Sequence, residues 1–321
     1  MKVLFVCSGN SKNFEIVPFI KEQGESLRKL GIDVEYYPVI GKGVKGYLKA
    51  GRALHKYLRQ NKYDVIHAHF IYSAVTAVVG AGKIPVVLSL MGSDAYGTYI
   101  GVDKVRLSSR FVTLLTWLIQ PFVKAIISKS TNIEQYVYLK HKSYIIPNGI
   151  NREKFKPELG NSQKRNSLTK RQILFLGNKN DTRKNFQLAR KAVKELNLHD
   201  VELVNPYPIP HDKVSDYLNI ANILVMPSLM EGSPNVIKEA MACNCPIVST
   251  DIGDVGWVFG DTRGCYLSSF EPVNFAHNIN EALKFSEEFG RTNGAGRIKE
   301  LGLDSESIAL RIIDVYKAVI N

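Results

Sequence analysis

The sequence predicts an α/β fold whose parallel strands are covered by helices on both faces. Three observations predict it. Short apolar runs rich in Val and Ile recur along the chain, amphipathic stretches of helical period separate them, and each run leads into a loop that opens the next helix. A strand that is apolar on both faces suits a position between helix layers, and parallel strands require a crossover of helical length between them.

The first run, KVLFVC (2–7), reads as a buried strand; its apolar stretch is too short for the core of a signal peptide. FEIVPFIKEQGESLRKLG follows as a helix, with Leu27 and Leu30 closing its stripe and Gly31 supplying the stop. Further strands are VEYYPV (34–39), DVIHAHF (64–70), PVVLSLM (85–91), AIISKS (125–130) and SYIIP (143–147). The rhythm then breaks. Residues 147–171, PNGINREKFKPELGNSQKRNSLTKR, are polar, carry seven Lys/Arg and show no apolar period, which is linker composition. A second series resumes with QILFLG (172–177), VELVN (201–205), ILVMPS (223–228), PIVSTD (246–251) and CYLS (265–268). The chain therefore reads as two Rossmann-like domains, 1–150 and 172–303, joined by a basic linker at 151–171. Residues 304–321 form a terminal helix, with Ile308, Ile312, Val315 and Val319 on one face, that can pack back on the N-terminal domain.

Composition narrows the class. Hydrophobic residues at 45% and charged residues at 22% are those of a folded protein and exclude wholesale disorder. The longest lipophilic stretch, FVTLLTWLI at 111–119, is too short to span a bilayer. Cys7, Cys243, Cys245 and Cys265 are too few for a disulfide framework and lack zinc-ligand spacing, so they read as reduced structural thiols of a cytoplasmic protein. Lys+Arg at 42 against Asp+Glu at 30 gives a net charge of +12, which favours polyanionic neighbours. The cations are spread over several helices with no aromatic-rich basic motif, so no nucleic-acid partner is expected. Neither half opens with G-x-G-x-x-G after its first strand, which argues against a nicotinamide-dependent dehydrogenase.

In open α/β sheets, ligands sit where strand carboxyl ends lead into helix amino termini. The most informative such junction is ILVMPSLMEGSPNVIKEAMACNCPIVST (223–250). The strand ends at Pro227 and Ser228, and a loop carries Glu231 and Gly232. Ser233 reads as an N-cap with Pro234 at the first helical position, and the helix runs through Glu239 to about Cys243. Gly232 permits close backbone approach, and the free amides of the first turn suit phosphate or hydroxyl oxygens. Glu231 precedes the helix start and Glu239 stands roughly 8 Å along its axis. Two carboxylates bracketing an amide-rich turn match the ribose, diphosphate and hexose of a nucleotide sugar.

The block EGSPNVIKEAMACNCPIVSTD, with its E-x7-E spacing, resembles the retaining glycosyltransferases of family 4, the group 1 family of GT-B fold. DVIHAHF (64–70), MGSDAYG (91–97), IIPNGIN (145–151) and LFLGNKNDTRKNF (174–186) follow that family's order, so the resemblance spans nearly the whole chain. It implies two Rossmann-like domains facing an inter-domain cleft. The implied reaction is metal-independent, retaining transfer from a UDP- or GDP-linked sugar, with no cofactor, to a glycan or lipid-linked acceptor in bacterial surface polysaccharide or glycolipid assembly.

The resemblance also implies roles. Glu239 holds the donor ribose. Glu231, with the backbone at Gly232, Ser233 and Asn235, holds hydroxyls of the transferred sugar. Lys184 binds the diphosphate beside Gly177. The family's Arg after that glycine is Asn178 here, and Arg183 is the cation available to replace it. Where the family has a His in H-G-S-D, this chain has Met91 before Gly92, Ser93 and Asp94; Asp94 and His69 are candidates for the vacant role. The loop Ser8-Gly9-Asn10-Ser11 lacks the family's double glycine but stays small and polar, placing Ser8 and Gly9 toward the donor phosphate and Asn10 on the acceptor side. No D-x-D element occurs, which agrees with Arg183, Lys184 and a helix amino terminus carrying the charge on the leaving diphosphate.

Two basic amphipathic stretches are candidates for an anionic membrane surface on the inner face of the cell membrane. Residues 41–62 carry seven Lys/Arg, no acid and a stripe of Val44, Tyr47, Leu48, Leu54 and Leu58. Residues 104–124 set Lys104, Arg106, Arg110, Trp117 and Lys124 around FVTLLTWLI. Both also suit ordinary helices covering the first sheet. Two further readings stay open: a nucleotide-sugar epimerase or hydrolase of the same fold, and a non-catalytic protein that binds nucleotide sugars or polyanions.

Overall fold

The structure is a computed structural model that describes residues 1–10, 15–41, 43–158 and 169–320. Ser11 of the first loop, Phe14 at the head of the first helical stretch, the side chain of Val44 and residues 159–168 of the expected linker lie outside the described residues.

In chain order the elements begin β1 (Lys2–Ser8), α1 (Pro18–Lys29), β2 (Asp33–Val39), α2 (Gly43–Leu58), β3 (Val65–His69), α3 (Ile71–Gly80) and β4 (Val86–Leu90). There follow α4 (Ser93–Tyr96), the hairpin β5 (Tyr99–Gly101) and β6 (Lys104–Val105), α5 (Arg110–Ile119), β7 (Ala125–Ser128), α6 (Thr131–Glu134) and β8 (Ser143–Ile145). The second series runs β9 (Arg171–Leu174), α7 (Phe186–Glu195), β10 (Val201–Val204), α8 (Val214–Ile220), β11 (Ile223–Met226), α9 (Asn235–Ala242) and β12 (Ile247–Thr250). It ends with α10 (Val255–Phe259), β13 (Cys265–Ser268), α11 (Pro272–Phe289), α12 (Gly294–Glu300) and α13 (Ser305–Ile320).

The chain forms two compact units. The first comprises Met1–Gly97, Arg106–Gly149 and Ser305–Asn321, and the second Thr98–Val105 and Ile150–Asp304. Each is built on a fully parallel sheet, in the order β2-β1-β3-β4-β7-β8 in the first and β10-β9-β11-β12-β13 in the second. Each is a Rossmann-like α/β unit of the kind the sequence predicts.

In the first unit, β1 lies between β2 and β3, and Val3 through Cys7 are fully buried. The strand period of two separates the faces. Leu4, Val6, Ile66 and Ala68 join the core that α2, α3 and α5 cover. Phe5, His67 and His69 point the other way, toward Tyr316 of α13. In the second unit, Ile173, Val225 and Val248 of the central strands share a core with Leu188 and Ala192 of α7 and Phe275 and Ile279 of α11.

The hairpin β5–β6 has no counterpart among the strands read from the sequence. Its strands are too short to show alternation, and the turn uses Asp103 at φ +57°. The hairpin groups with the second unit, where Tyr99 N–H meets Met230 Sδ at 3.1 Å. All four cysteines are free thiols, and burial pushes those of Cys7 and Cys243 up to about 12. Among the described residues no helix is long and apolar enough to cross a membrane.

Candidate active site

In the second sheet, β9 pairs with β10 on one side and β11 on the other. The crossovers leaving this point go in opposite directions, so the loops after β9 and β11 diverge at the carboxyl ends of the strands and leave room for a ligand. Both loops carry residues singled out in the sequence.

The loop after β9 is pinned at Phe175 and Gly177, whose carbonyls each accept a hydrogen bond from Asn205 Nδ2 at 3.0 Å. Gly177 has little room for a side chain: a Cβ there would meet the Phe175 ring at 3.2 Å. Asn178 closes the next turn, accepting Asn180 N–H on its side chain at 3.0 Å. Asp181 then caps the single turn Thr182–Lys184 by accepting Arg183 N–H. Its carboxylate also takes the Arg183 guanidinium, through Nε at 3.0 Å and Nη2 at 2.7 Å. Burial would raise the Asp181 carboxyl, but the bonds from Arg183 outweigh it and hold the group below its usual value. Arg183 is therefore already matched by a carboxylate, unlike the open cation expected from the sequence.

Lys184 points across to the other loop, and its ammonium hydrogen-bonds Glu231 Oε1. A backbone bond from Leu229 N–H to Arg183 O, at 2.7 Å, ties the same two loops together. The peptide around Glu231 and Gly232 lies against Gly253, which sits at φ +62°; a Cβ there would come within 2.7 Å of Glu231 O. Only glycine fits both that conformation and that approach.

Ser233 does not cap the helix. Pro234 occupies the N-cap of α9, with no side-chain hydrogen bond to the first turn. The Ser233 hydroxyl instead donates to Asp254 Oδ2 at 2.7 Å and accepts from Lys238 Nζ. Lys238 and Asp254 form an ion pair at 3.1 Å, almost wholly buried, that anchors the start of α9 to the 251–254 loop. Asn235 is the first residue of α9, and its Oδ1 is buried with no hydrogen-bond partner among the described residues; Ser228 Oγ, just past β11, is in the same state.

Glu239, on the second turn of α9, is buried, and its Oε1 lies 2.8 Å from His211 Nε2. Sequence reasoning missed His211. It sits in the turn His211–Lys213 before α8, and its Nδ1 lies 2.8 Å from Lys154 Nζ. An ammonium can only donate, so Nδ1 accepts, Nε2 carries the proton, and His211 donates to the Glu239 carboxylate. Phe155 packs against the same ring at 5.5 Å between centroids. The only hint in the sequence was a His in a proline-flanked loop, which has no periodicity to read.

The remaining predicted residues belong to the first unit. Asn10 spans its loop, donating through Nδ2 to Gly41 O at 2.7 Å and Tyr47 Oη at 3.1 Å, and accepting Gly41 N–H at 3.0 Å. Gly9 N–H donates to Val39 O at 2.9 Å, and Ser8 Oγ accepts Asn10 N–H at 3.3 Å. These three groups thus brace the end of β1. Asp94 is fully buried in α4; its Oδ1 accepts Met91 N–H and Gly92 N–H, each at 2.9 Å. Burial pushes its carboxyl up to about 6 against the pull of those amides.

His69 is also buried, stacked on His67 at 4.3 Å, and neither ring nitrogen has a hydrogen-bond partner among the described residues. His67 bonds Tyr316 Oη at 2.6 Å and Ser89 Oγ at 2.7 Å. Burial holds both imidazoles well below the ordinary histidine value, and the Lys129 cation adds to the effect.

Comparison with known proteins bears on both units. The family model described as Glycosyltransferase Family 4 matches residues 2–154, and that described as Glycosyl transferases group 1 matches residues 162–284. A Bacillus subtilis (strain 168) protein, TuaC, provisionally named a teichuronic acid biosynthesis glycosyltransferase, is 27% identical over 224 residues, covering 61% of this chain and 55% of its own. The chain thus spans about half the length of that relative. Among solved structures, a sucrose-phosphate synthase from Thermosynechococcus elongatus superposes with a TM-score of 0.77 at 18% identity, covering 99% of this chain and 98% of its own. Anabaena HepE in complex with UDP-glucose superposes with a TM-score of 0.70 at 17% identity, covering 99% of this chain and 100% of its own. At such identities the likeness is one of fold.

Proposed function

We propose that this chain, which belongs to the group 1 glycosyltransferases, moves a glycosyl unit from a nucleoside diphosphate sugar to an acceptor hydroxyl with retention at the anomeric carbon. The observation that carries this reading is the pairing of Lys184 with Glu231 across the two loops of the second sheet's switch point, beside the helix that bears Glu239. A cation, two carboxylates and a helix amino terminus at one strand end suit a ligand with hydroxyls at both ends and a diphosphate between. The HepE complex, a protein of the same fold that holds UDP-glucose, supports a donor of that class.

In this reading Glu239 accepts hydroxyls of the ribose, and Glu231 accepts hydroxyls of the transferred sugar. The Lys184 ammonium and the free amides in the first turn of α9 meet the diphosphate, and Arg183 adds to them only as far as the ligand draws it away from its Asp181 partner. Breaking the anomeric C–O bond leaves negative charge on the departing phosphate. Groups already aimed there gain strength as that charge grows, which lowers the barrier. The reading assigns this work to side chains and amides rather than to a metal ion, in keeping with a sequence that lacks D-x-D, and needs no cofactor. Retention follows from the resemblance, and no residue is assigned as a covalent nucleophile. On the first unit, His69 and Asp94 remain the candidates for the missing histidine's role, since both His69 ring nitrogens and Asp94 Oδ2 have no hydrogen-bond partner among the described residues, whereas Asn10 is committed to bracing its loop. The acceptor is a glycan or lipid-linked glycan of the bacterial surface, a reading that the name of the Bacillus relative supports.

A thermal-shift panel of UDP-, GDP- and ADP-sugars, followed by nucleotide-release assays with and without acceptor, tests the proposal. One donor raises the melting temperature, and release requires acceptor. Glu239→Ala and Lys184→Ala abolish the shift and cut turnover by about 10²-fold or more while remaining folded. Variants that respond like the parent chain overturn the site, and release without acceptor overturns the transferase in favour of a hydrolase or epimerase.

A further inference from the structure

Helix α5 and the short turns at its ends, Leu107–Ser109 and Gln120–Phe122, carry apolar side chains on both sides: Val112, Leu115 and Ile119 pack on the core, and a second apolar set faces outward. Thr116 and Gln120 are fully buried: Thr116 Oγ1 donates to Asp94 O at 2.7 Å, and Gln120 donates to Tyr136 O and accepts Tyr138 N–H. On the outside, Leu107 is 76% exposed, Phe111 54%, Leu114 50%, Trp117 50%, Leu118 61% and Phe122 67%. A surface helix of a soluble domain normally keeps its outer side polar. Positions 107, 111, 114 and 118 fall on one stripe, with Trp117 and Phe122 beside it, so these side chains form one patch rather than scattered exposures.

The charges carried along this stretch of chain have one sign. No carboxylate occurs in the sequence between Asp103 and Glu134. Arg106, Arg110 and Lys124 are exposed along this stretch. Lys142 adds a cation near Phe122, its Nζ donating to Pro121 O at 3.2 Å and Val123 O at 3.1 Å. Helix α2 is different: Lys45, Lys49, Arg52 and Lys56 are exposed on it, but Leu48 is its one exposed large apolar side chain among the described residues. It offers charge without anything to insert.

We propose that α5 is a docking helix that lies in the interface of an anionic lipid bilayer, its apolar stripe in the headgroup–acyl boundary and Arg106, Arg110, Lys124 and Lys142 at the level of the lipid phosphates. An apolar face on a stretch that carries cations and no acid of its own is complementary to such a surface. A second copy of the chain fits less well, because a two-fold contact would set the same cations against each other. The inference goes beyond the transferase reading and stands without it.

The chain has two tryptophans, Trp117 and Trp257, so in a Trp257→Phe chain the emission reports α5 alone. Titration with phosphatidylglycerol-containing vesicles shifts that emission to the blue, and phosphatidylcholine vesicles shift it far less. The double variant Phe111→Ser/Leu118→Ser, checked for an unchanged melting temperature, lowers vesicle co-sedimentation by about tenfold or more. Lys49→Gln/Arg52→Gln in α2 leaves the blue shift in place. The proposal is overturned by failure to co-sediment with anionic vesicles at low salt, or by co-sedimentation that the α5 double variant does not reduce. A dimer in solution that this variant splits into monomers also overturns it.

Discussion

Lys184 and Glu231 are 47 residues apart in sequence and meet at one switch point, and both were legible because each sits in a short motif beside a strand end. His211 was not. Its partners Glu239 and Lys154 lie 28 and 57 residues away, and no local pattern announces a contact of that reach. His211 acts as a positioning residue: Lys154 sets its tautomer, and its Nε2–H orients Glu239. His211→Ala therefore weakens nucleoside diphosphate binding by about tenfold, and His211→Gln, whose amide still reaches Glu239 as a donor, restores most of it. Calorimetric titration of UDP and GDP measures this, and nitrogen NMR of the parent chain shows Nδ1 bare and Nε2 protonated.

Asp94 illustrates the opposite case, a residue read toward chemistry that the fold has buried. Its carboxyl titrates at about 6 in the fold against 3.8 for an unhindered side chain. The native state therefore binds more protons than the unfolded chain between those values, and the contribution of Asp94 to stability is lost as pH rises through that window. Asp94→Asn removes this slope and raises stability near pH 7 by up to about 3 kcal/mol. Denaturant unfolding of parent and variant at pH 4.5 and 7 is the check.

At the scale of elements, the strands of both sheets were readable because parallel strands are apolar on both faces. The β5–β6 hairpin was not, since strands this short carry no period and belong where tertiary contacts put them. The start of α9 shows how tertiary structure overrides a local rule. Ser before Pro reads as an N-cap, yet the hydroxyl is captured by Asp254 and Lys238, and the helix begins one residue later than a Ser233 cap would set it. Lys238 and Asp254 are so deeply buried that removing one strands the other. Lys238→Met costs about 3–5 kcal/mol, whereas Lys238→Met/Asp254→Leu recovers much of that loss. A double-mutant cycle in urea reads the coupling directly.

At the scale of the whole molecule, the two matched family regions correspond to the two sheets, and the polar stretch at midchain separates them. Two runs of alternating strand and helix with a polar break made that division legible. The terminal helix α13 groups with the first unit, where Tyr316 meets His67, a packing its apolar stripe allowed; which apolar side chains of α5 stay outside was not legible. FVTLLTWLI is apolar on both sides of its helix, so its pattern does not say which side the core takes. The central claim is that one strand end of the second unit grips a sugar-linked nucleoside diphosphate through Lys184, Glu231 and Glu239. Hydrogen exchange of the whole chain, with and without the donor that stabilises it most, tests this most directly. The account predicts slowed exchange at residues 177–185 and 229–240. Unchanged exchange in both segments, with protection elsewhere, would contradict it.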